Sequence, residues 1–131
     1  MKGIDTNVLV HYFVEDDVAQ TKRVERFLAA ARRAGESVYV SSIVLCETAW
    51  VLRKVFGQSK SETLDYLERI LDTDVFQVEE EDSVRQALRL SRKGKGDFAD
   101  YLIGQLNLAR GCRFTVTFDR SLRSDSAFSI L

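Results

Sequence analysis

From Asp16 or Asp17 to Arg33, Val18, Thr21, Val24, Phe27, Leu28 and Ala31 recur at the three- and four-residue spacing of an amphipathic helix, with Gly35 as its expected stop. Ser37–Val40 is a short apolar run that predicts a buried strand. Ser41 or Ser42 then caps a second helix from Ile43 to about Phe56, ahead of Gly57. Ser59-Lys60-Ser61-Glu62 has the form of a capping box, and Leu64, Leu67, Ile70 and Leu71 follow on one face. Val75–Val78 predicts another strand. Asp82 or Ser83 opens a fourth helix carrying Val84, Ala87 and Leu88 and ending near Gly94. Gly94 and Gly96 bracket a tight link, and Asp97 caps a fifth helix that runs through Arg110 and stops at Gly111. Cys112–Phe118 is a further strand ending at Asp119. At the start of the chain, Lys2–Val10 begins as a strand and turns at Asp5-Thr6-Asn7, where Asn7 is placed to cap the next turn.

Strands and helices alternating at these spacings predict a three-layer α/β/α domain with a mainly parallel central sheet. The pattern contains no repeat and no linker, so a single domain is expected over residues 1–131. Composition agrees with a folded chain, since 45% hydrophobic with 30% charged residues excludes fibrous and disordered classes. No apolar run approaches the eighteen or so residues of a membrane span. Two cysteines, Cys46 and Cys112, are too few for a disulfide framework. With His11 as the only histidine they are also too few for a zinc site, so these three residues read as structural and the expected location is cytoplasmic.

A net charge of −1 gives no global attraction to a polyanion. The local distribution is uneven. Glu79, Glu80, Glu81 and Asp82 are followed by Arg85, Arg89, Arg92, Lys93 and Lys95 with no acid among them. That stretch reads first as a solvated helix face with its acids at the N-terminal end, where the helix dipole favours them. A stripe that tracks phosphates is the alternative.

In open α/β sheets ligands bind beyond the carboxyl ends of the strands, and the predicted elements put four acids at such positions. Asp5 follows the first strand, Asp119 follows a late strand, Glu47 lies early on the second helix, and Asp100 lies in the first turn of the helix opened by Asp97. Each has a plain structural explanation as a cap or turn residue, except Glu47. Its neighbours Val44, Cys46, Ala49, Trp50 and Val51 leave it either on a narrow exposed strip or partly buried with a partner. Clustered carboxylates repel unless a counter-charge is present. A hard divalent cation such as Mg²⁺ or Mn²⁺ supplies it through oxygen ligands and suits hydrolysis of phosphodiesters.

Ile4-Asp5-Thr6-Asn7-Val8-Leu9, Cys46-Glu47-Thr48-Ala49-Trp50-Val51-Leu52, Asp97-Phe98-Ala99-Asp100-Tyr101-Leu102-Ile103 and Thr117-Phe118-Asp119-Arg120 together resemble a PIN domain, and more narrowly the VapC-type toxins of toxin–antitoxin systems. The resemblance covers nearly the whole chain. It implies a Mg²⁺-dependent endoribonuclease acting on RNA, usually a homodimer, restrained by a cognate antitoxin, with Asp5, Glu47, Asp100 and Asp119 as catalytic and metal-binding acids. It also implies that Thr6 is the hydroxyl beside the first acid. Asp97 is an extra acid, a cap, an outer-shell ligand or an actual metal ligand, read first as a cap and outer ligand, while Asp100 at the third helical position is expected to have little capping role. Arg120 is placed to approach a substrate phosphate or to be a surface charge. The competing function is a non-catalytic PIN-like module that binds RNA or protein.

Overall fold

Asp5 ends the first strand and starts the first helix in one step. The Ile4 amide donates to the Tyr39 carbonyl at 3.2 Å. One residue later Asp5, in extended backbone at φ −93° and ψ 176°, accepts the Val8 amide through Oδ1 at 3.0 Å. It is therefore the N-cap of helix α1 (Thr6–Phe13), and Asn7, expected to cap, lies inside the first turn. A cap must itself sit outside the helix, which Asn7 does not.

This arrangement comes from a computed structural model describing residues 1–131, in which the chain forms two compact units, residues 1–79 and 80–131. In the first unit, β1 (Lys2–Gly3), β2 (Val38–Val40) and β3 (Phe76–Val78) form a parallel sheet in that order, with Val38 paired to both Lys2 and Phe76. Central position buries Val38 and Val40 completely. Helix α2 (Val18–Ala34) starts where Asp17 accepts the Gln20 amide and ends at Gly35, whose φ of +67° is the left-handed conformation glycine adopts freely. Helix α3 (Ser42–Lys54) is capped by Ser41. Helix α4 (Lys60–Leu71) has the expected capping box, with both Ser59–Glu62 bonds at 3.1 Å. Leu9, Leu28, Leu45, Leu52, Leu67 and Ile70 are each at most 1% exposed and form the core, each contributing roughly 1.5–3 kcal/mol by burial.

The second unit contains α5 (Glu81–Lys93), α6 (Phe98–Ala109), β4 (Thr115–Thr117), a one-turn 3-10 helix (Arg120–Leu122) and β5 (Phe128–Ile130), with β4 and β5 paired in parallel. All observed strand pairings are thus parallel, in the α/β class expected from the sequence. Three details differ. Helix α5 starts from Glu80, in left-handed backbone at φ 51° without a side-chain cap, rather than from Asp82 or Ser83. Glu81 and Asp82 lie instead in its first turn, where the dipole favours them as well as at a cap. The strand expected over Cys112–Phe118 is only three residues long, because the end of α6 closes with the Cys112 amide bonded to the Asn107 carbonyl and Gly111 at φ +92°. Strand β5 has no counterpart among the elements the sequence pattern predicts.

The link between α5 and α6 is tight for a reason other than turn conformation. The Tyr101 ring packs over it, and its hydroxyl accepts the Gly96 amide at 3.1 Å in a buried bond. A Cβ on Gly94 would lie 1.8 Å from that hydroxyl, and one on Gly96 would lie 2.5 Å from a Leu122 methyl. No helix is long and apolar enough to cross a membrane. Cys46 and Cys112 are free thiols, and burial pushes the Cys46 thiol above its ordinary value. His11 faces Asp16, Nδ1 to Oδ1 at 3.2 Å, rather than any of the four acids.

Candidate functional site

Two of the candidate acids belong to the first unit. Asp5 is an exposed residue fixed by its cap bond through Oδ1. It also lines an open groove with Gly3, Ile4 and Val8 on one side and Gln20, Arg23 and Phe27 of α2 on the other. Arg23 brings a cation into the groove that Asp5 lines. Nothing in the sequence singles it out, because it is one of several charged residues on the solvent face of α2. Thr6 is buried as the first residue of α1. Glu47 is exposed in the second turn of α3, flanked along the same helix by Ile43 at 76% and Trp50 at 59% exposure. Of the two environments open to it, the exposed strip is the one observed.

The remaining acids belong to the second unit. Asp97 is the N-cap of α6, and its amide donates to Asp100 Oδ2 at 3.0 Å, the reciprocal bond of a capping box. The expectation that Asp100 has little capping role is therefore wrong. Its carboxylate is long enough to reach back to the cap amide, a role usually given to glutamate or glutamine. Asp119 is the N-cap of the 3-10 helix and accepts the Ser121 amide through Oδ1 at 2.9 Å. Arg120, in that turn, is exposed.

A common local device results. Asp5, Asp100 and Asp119 each commit one carboxylate oxygen to a backbone amide, which fixes the side chain. The donor chemistry of the four acids is all hard oxygen, which suits Mg²⁺ or Mn²⁺ and not a thiol- or imidazole-seeking metal. No three His, Cys, Asp or Glu side chains are grouped in an arrangement able to hold a metal ion. Two measurements probe the caps. Asp100→Ala should lose about 0.5–2 kcal/mol in a denaturant melt, whereas Asp100→Asn keeps an acceptor oxygen and should melt close to the parent.

The second concerns Asp119, whose carboxyl is held below its ordinary value of 3.8 by the Ser121 hydroxyl and then by the Ser121 amide, both of which stabilise the charged form. A lowered folded-state value means that this contribution to stability is complete above about pH 4. It is lost as pH falls through the folded value. Ser121→Ala should raise the Asp119 titration midpoint toward 3.8 when followed by carboxyl NMR, with no change at neutral pH.

Residues 3–124 match the family described as PIN domain. The chain is also 27% identical over 123 residues to a VapC ribonuclease of Aquifex aeolicus (strain VF5), a match covering 94% of this chain and 90% of that protein. The family match takes in all of the acids described above. On the extent of that match, the chain belongs to the PIN domain family.

Proposed function

We propose that the chain is a Mg²⁺-dependent endoribonuclease that hydrolyses RNA phosphodiesters and is the toxin of a toxin–antitoxin pair. The observation that carries this reading is the family match over residues 3–124 combined with an acid at each of Asp5, Glu47, Asp100 and Asp119. The similarity to a VapC ribonuclease supports the nuclease class. In this reading residues 1–131 work as one nuclease domain in the cytoplasm, as a homodimer whose cognate antitoxin blocks the acids.

Asp5, Glu47, Asp100 and Asp119 would hold Mg²⁺, with Mn²⁺ as a substitute. Bound there, the ion supplies charge to neutralise the phosphodiester and acidifies a water for attack on phosphorus. The chain's own contribution is positional. The cap bonds fix Asp5, Asp100 and Asp119 so that little side-chain freedom remains to be lost when substrate arrives. The water oxygen bonds to phosphorus, the bond from phosphorus to the leaving ribose oxygen breaks, and a proton passes to that oxygen. Thr6 supports the first acid, Asp97 orders the helix start around Asp100, and Arg120 offers a cation to the phosphate.

The second reading is a binding module of the same fold. Growth separates the two. Expression of the chain alone should arrest growth, expression with the antitoxin gene should restore it, and Asp119→Asn should not arrest growth at all. Arrest that is equally strong with Asp119→Asn contradicts the nuclease reading and favours the module.

A further inference from the structure

Helix α5 carries a charge pattern that its own stability does not explain. Val84, Ala87, Leu88 and Ser91 are buried, and the outer face bears Arg85, Arg89 and Arg92 at i, i+4 and i+7, a single row about 10 Å long. Glu81 accompanies Arg85 at 3.8 Å, and the helix dipole favours Arg92 and Lys93 in the last turn. Arg89 has no such reason. It is exposed, its Nε donates to Gln86 Oε1 at 2.9 Å, and its i−4, i+3 and i+4 neighbours are Arg85, Arg92 and Lys93. Like charges at those spacings destabilise a helix.

The imbalance extends beyond the helix. Between Arg85 and Arg123 there are nine basic residues against three acids, and those three are Asp97, Asp100 and Asp119. The row points along the chain toward the candidate site, since α5 leads through Lys95 directly to the Asp97–Asp100 turn.

We infer that the Arg85–Arg89–Arg92 row is a docking track for the phosphate backbone of single-stranded RNA, guiding substrate to the turn that holds Asp100. The inference rests on the ribonuclease reading for its substrate. Two features favour RNA over an acidic protein. Guanidinium forks match phosphate oxygens in paired hydrogen bonds. A protein interface also needs an apolar centre, and none of the large exposed apolar side chains lies on α5.

The test is binding of a fluorescent, unstructured single-stranded RNA of about twenty nucleotides to the full chain in EDTA, measured across salt concentrations. Cleavage of the same RNA in Mg²⁺ is followed separately. In Arg85→Gln/Arg89→Gln/Arg92→Gln, Kd should rise at least about tenfold at 0.1 M salt. The slope of log affinity against log salt should fall by about two, because each phosphate neutralised on a single strand contributes roughly 0.7. Cleavage should be impaired through KM with kcat retained, and the melting temperature should not fall. Asp100→Asn should bind with the parental slope. An unchanged slope in the triple variant overturns the track while leaving the nuclease reading intact. A reduced slope without cleavage by the parent keeps the track and removes the nuclease. Poly-L-glutamate displacing the RNA equally well, charge for charge, shows a surface for any acidic chain and also overturns the inference.

Discussion

Replacing Asp5 by asparagine is expected to abolish RNA cleavage while leaving the melting temperature close to that of the parent. The asparagine Oδ1 can still accept the Val8 amide that now bonds to Asp5 at 3.0 Å, so helix α1 keeps its start. What disappears is the carboxylate's charge. Substitutions of residues that merely orient a metal ligand typically cost 10–100-fold, so loss of a ligand in the proposed site should cost more than about 100-fold in kcat. Asp5→Ala provides the internal comparison, since it should lose the same activity and, in addition, about 0.5–2 kcal/mol of stability with the cap. A preparation of Asp5→Asn that cleaves as the parent does would remove Asp5 from the metal set. One that fails to fold would show that the carboxylate's charge, and not only its oxygen, holds α1.

The largest effect on stability is expected at Gly94. An alanine there would place its Cβ 1.8 Å from the Tyr101 hydroxyl and 2.7 Å from the ring carbon that bears it. The ring cannot move without releasing the Gly96 amide that its hydroxyl accepts at 3.1 Å in buried surroundings. Overpacking costs about 1–3 kcal/mol, and leaving a buried amide unsatisfied costs about 1–3 kcal/mol more. Gly94→Ala should therefore lower the melting temperature by many degrees. Gly94→Ala/Tyr101→Phe, which removes the hydroxyl but keeps the ring carbon 2.7 Å from the new Cβ, should recover only part of the steric loss and none of the hydrogen bond. A melt of Gly94→Ala equal to the parent would mean that the link has room this geometry does not show.

The parts of the fold that the sequence discloses are those whose signals are local. Asp17, Ser41 and Ser59 are polar residues directly before apolar-periodic stretches, and each caps the helix it announces. For α1 the turn at Asp5-Thr6-Asn7 is legible but its cap is not, because Asp5, Thr6 and Asn7 are all capping residue types and the sequence does not choose among them. Only the backbone shows that Asp5, and not Asn7, is the cap. Glu80 gives no signal either, since left-handed backbone at a non-glycine residue is set by its surroundings.

For the candidate site, the sequence names the acids but not how they are held. Asp100 is one methylene shorter than the usual capping-box partner, so its bond to the Asp97 amide could be recognised only from coordinates. Glu47 sits among apolar neighbours, which in sequence terms is compatible with either a buried or an exposed environment. Two apolar residues on its helix, Ile43 and Trp50, prove to be exposed, so apolar character there does not report burial. Ser121, which holds the Asp119 carboxylate charged, and Arg23, which shares a groove with Asp5, are ordinary polar residues in the sequence and acquire significance only from position.

The most direct measurement is cleavage of a mixed RNA by matched preparations of the parent and Asp119→Asn, each in Mg²⁺ and in EDTA. A metal-dependent nuclease built on these acids predicts cleavage by the parent in Mg²⁺ alone, its loss in EDTA, its return when Mg²⁺ or Mn²⁺ is added in excess, and no cleavage by Asp119→Asn under any condition. Cleavage that persists in EDTA, or that Asp119→Asn performs as well as the parent, would contradict it.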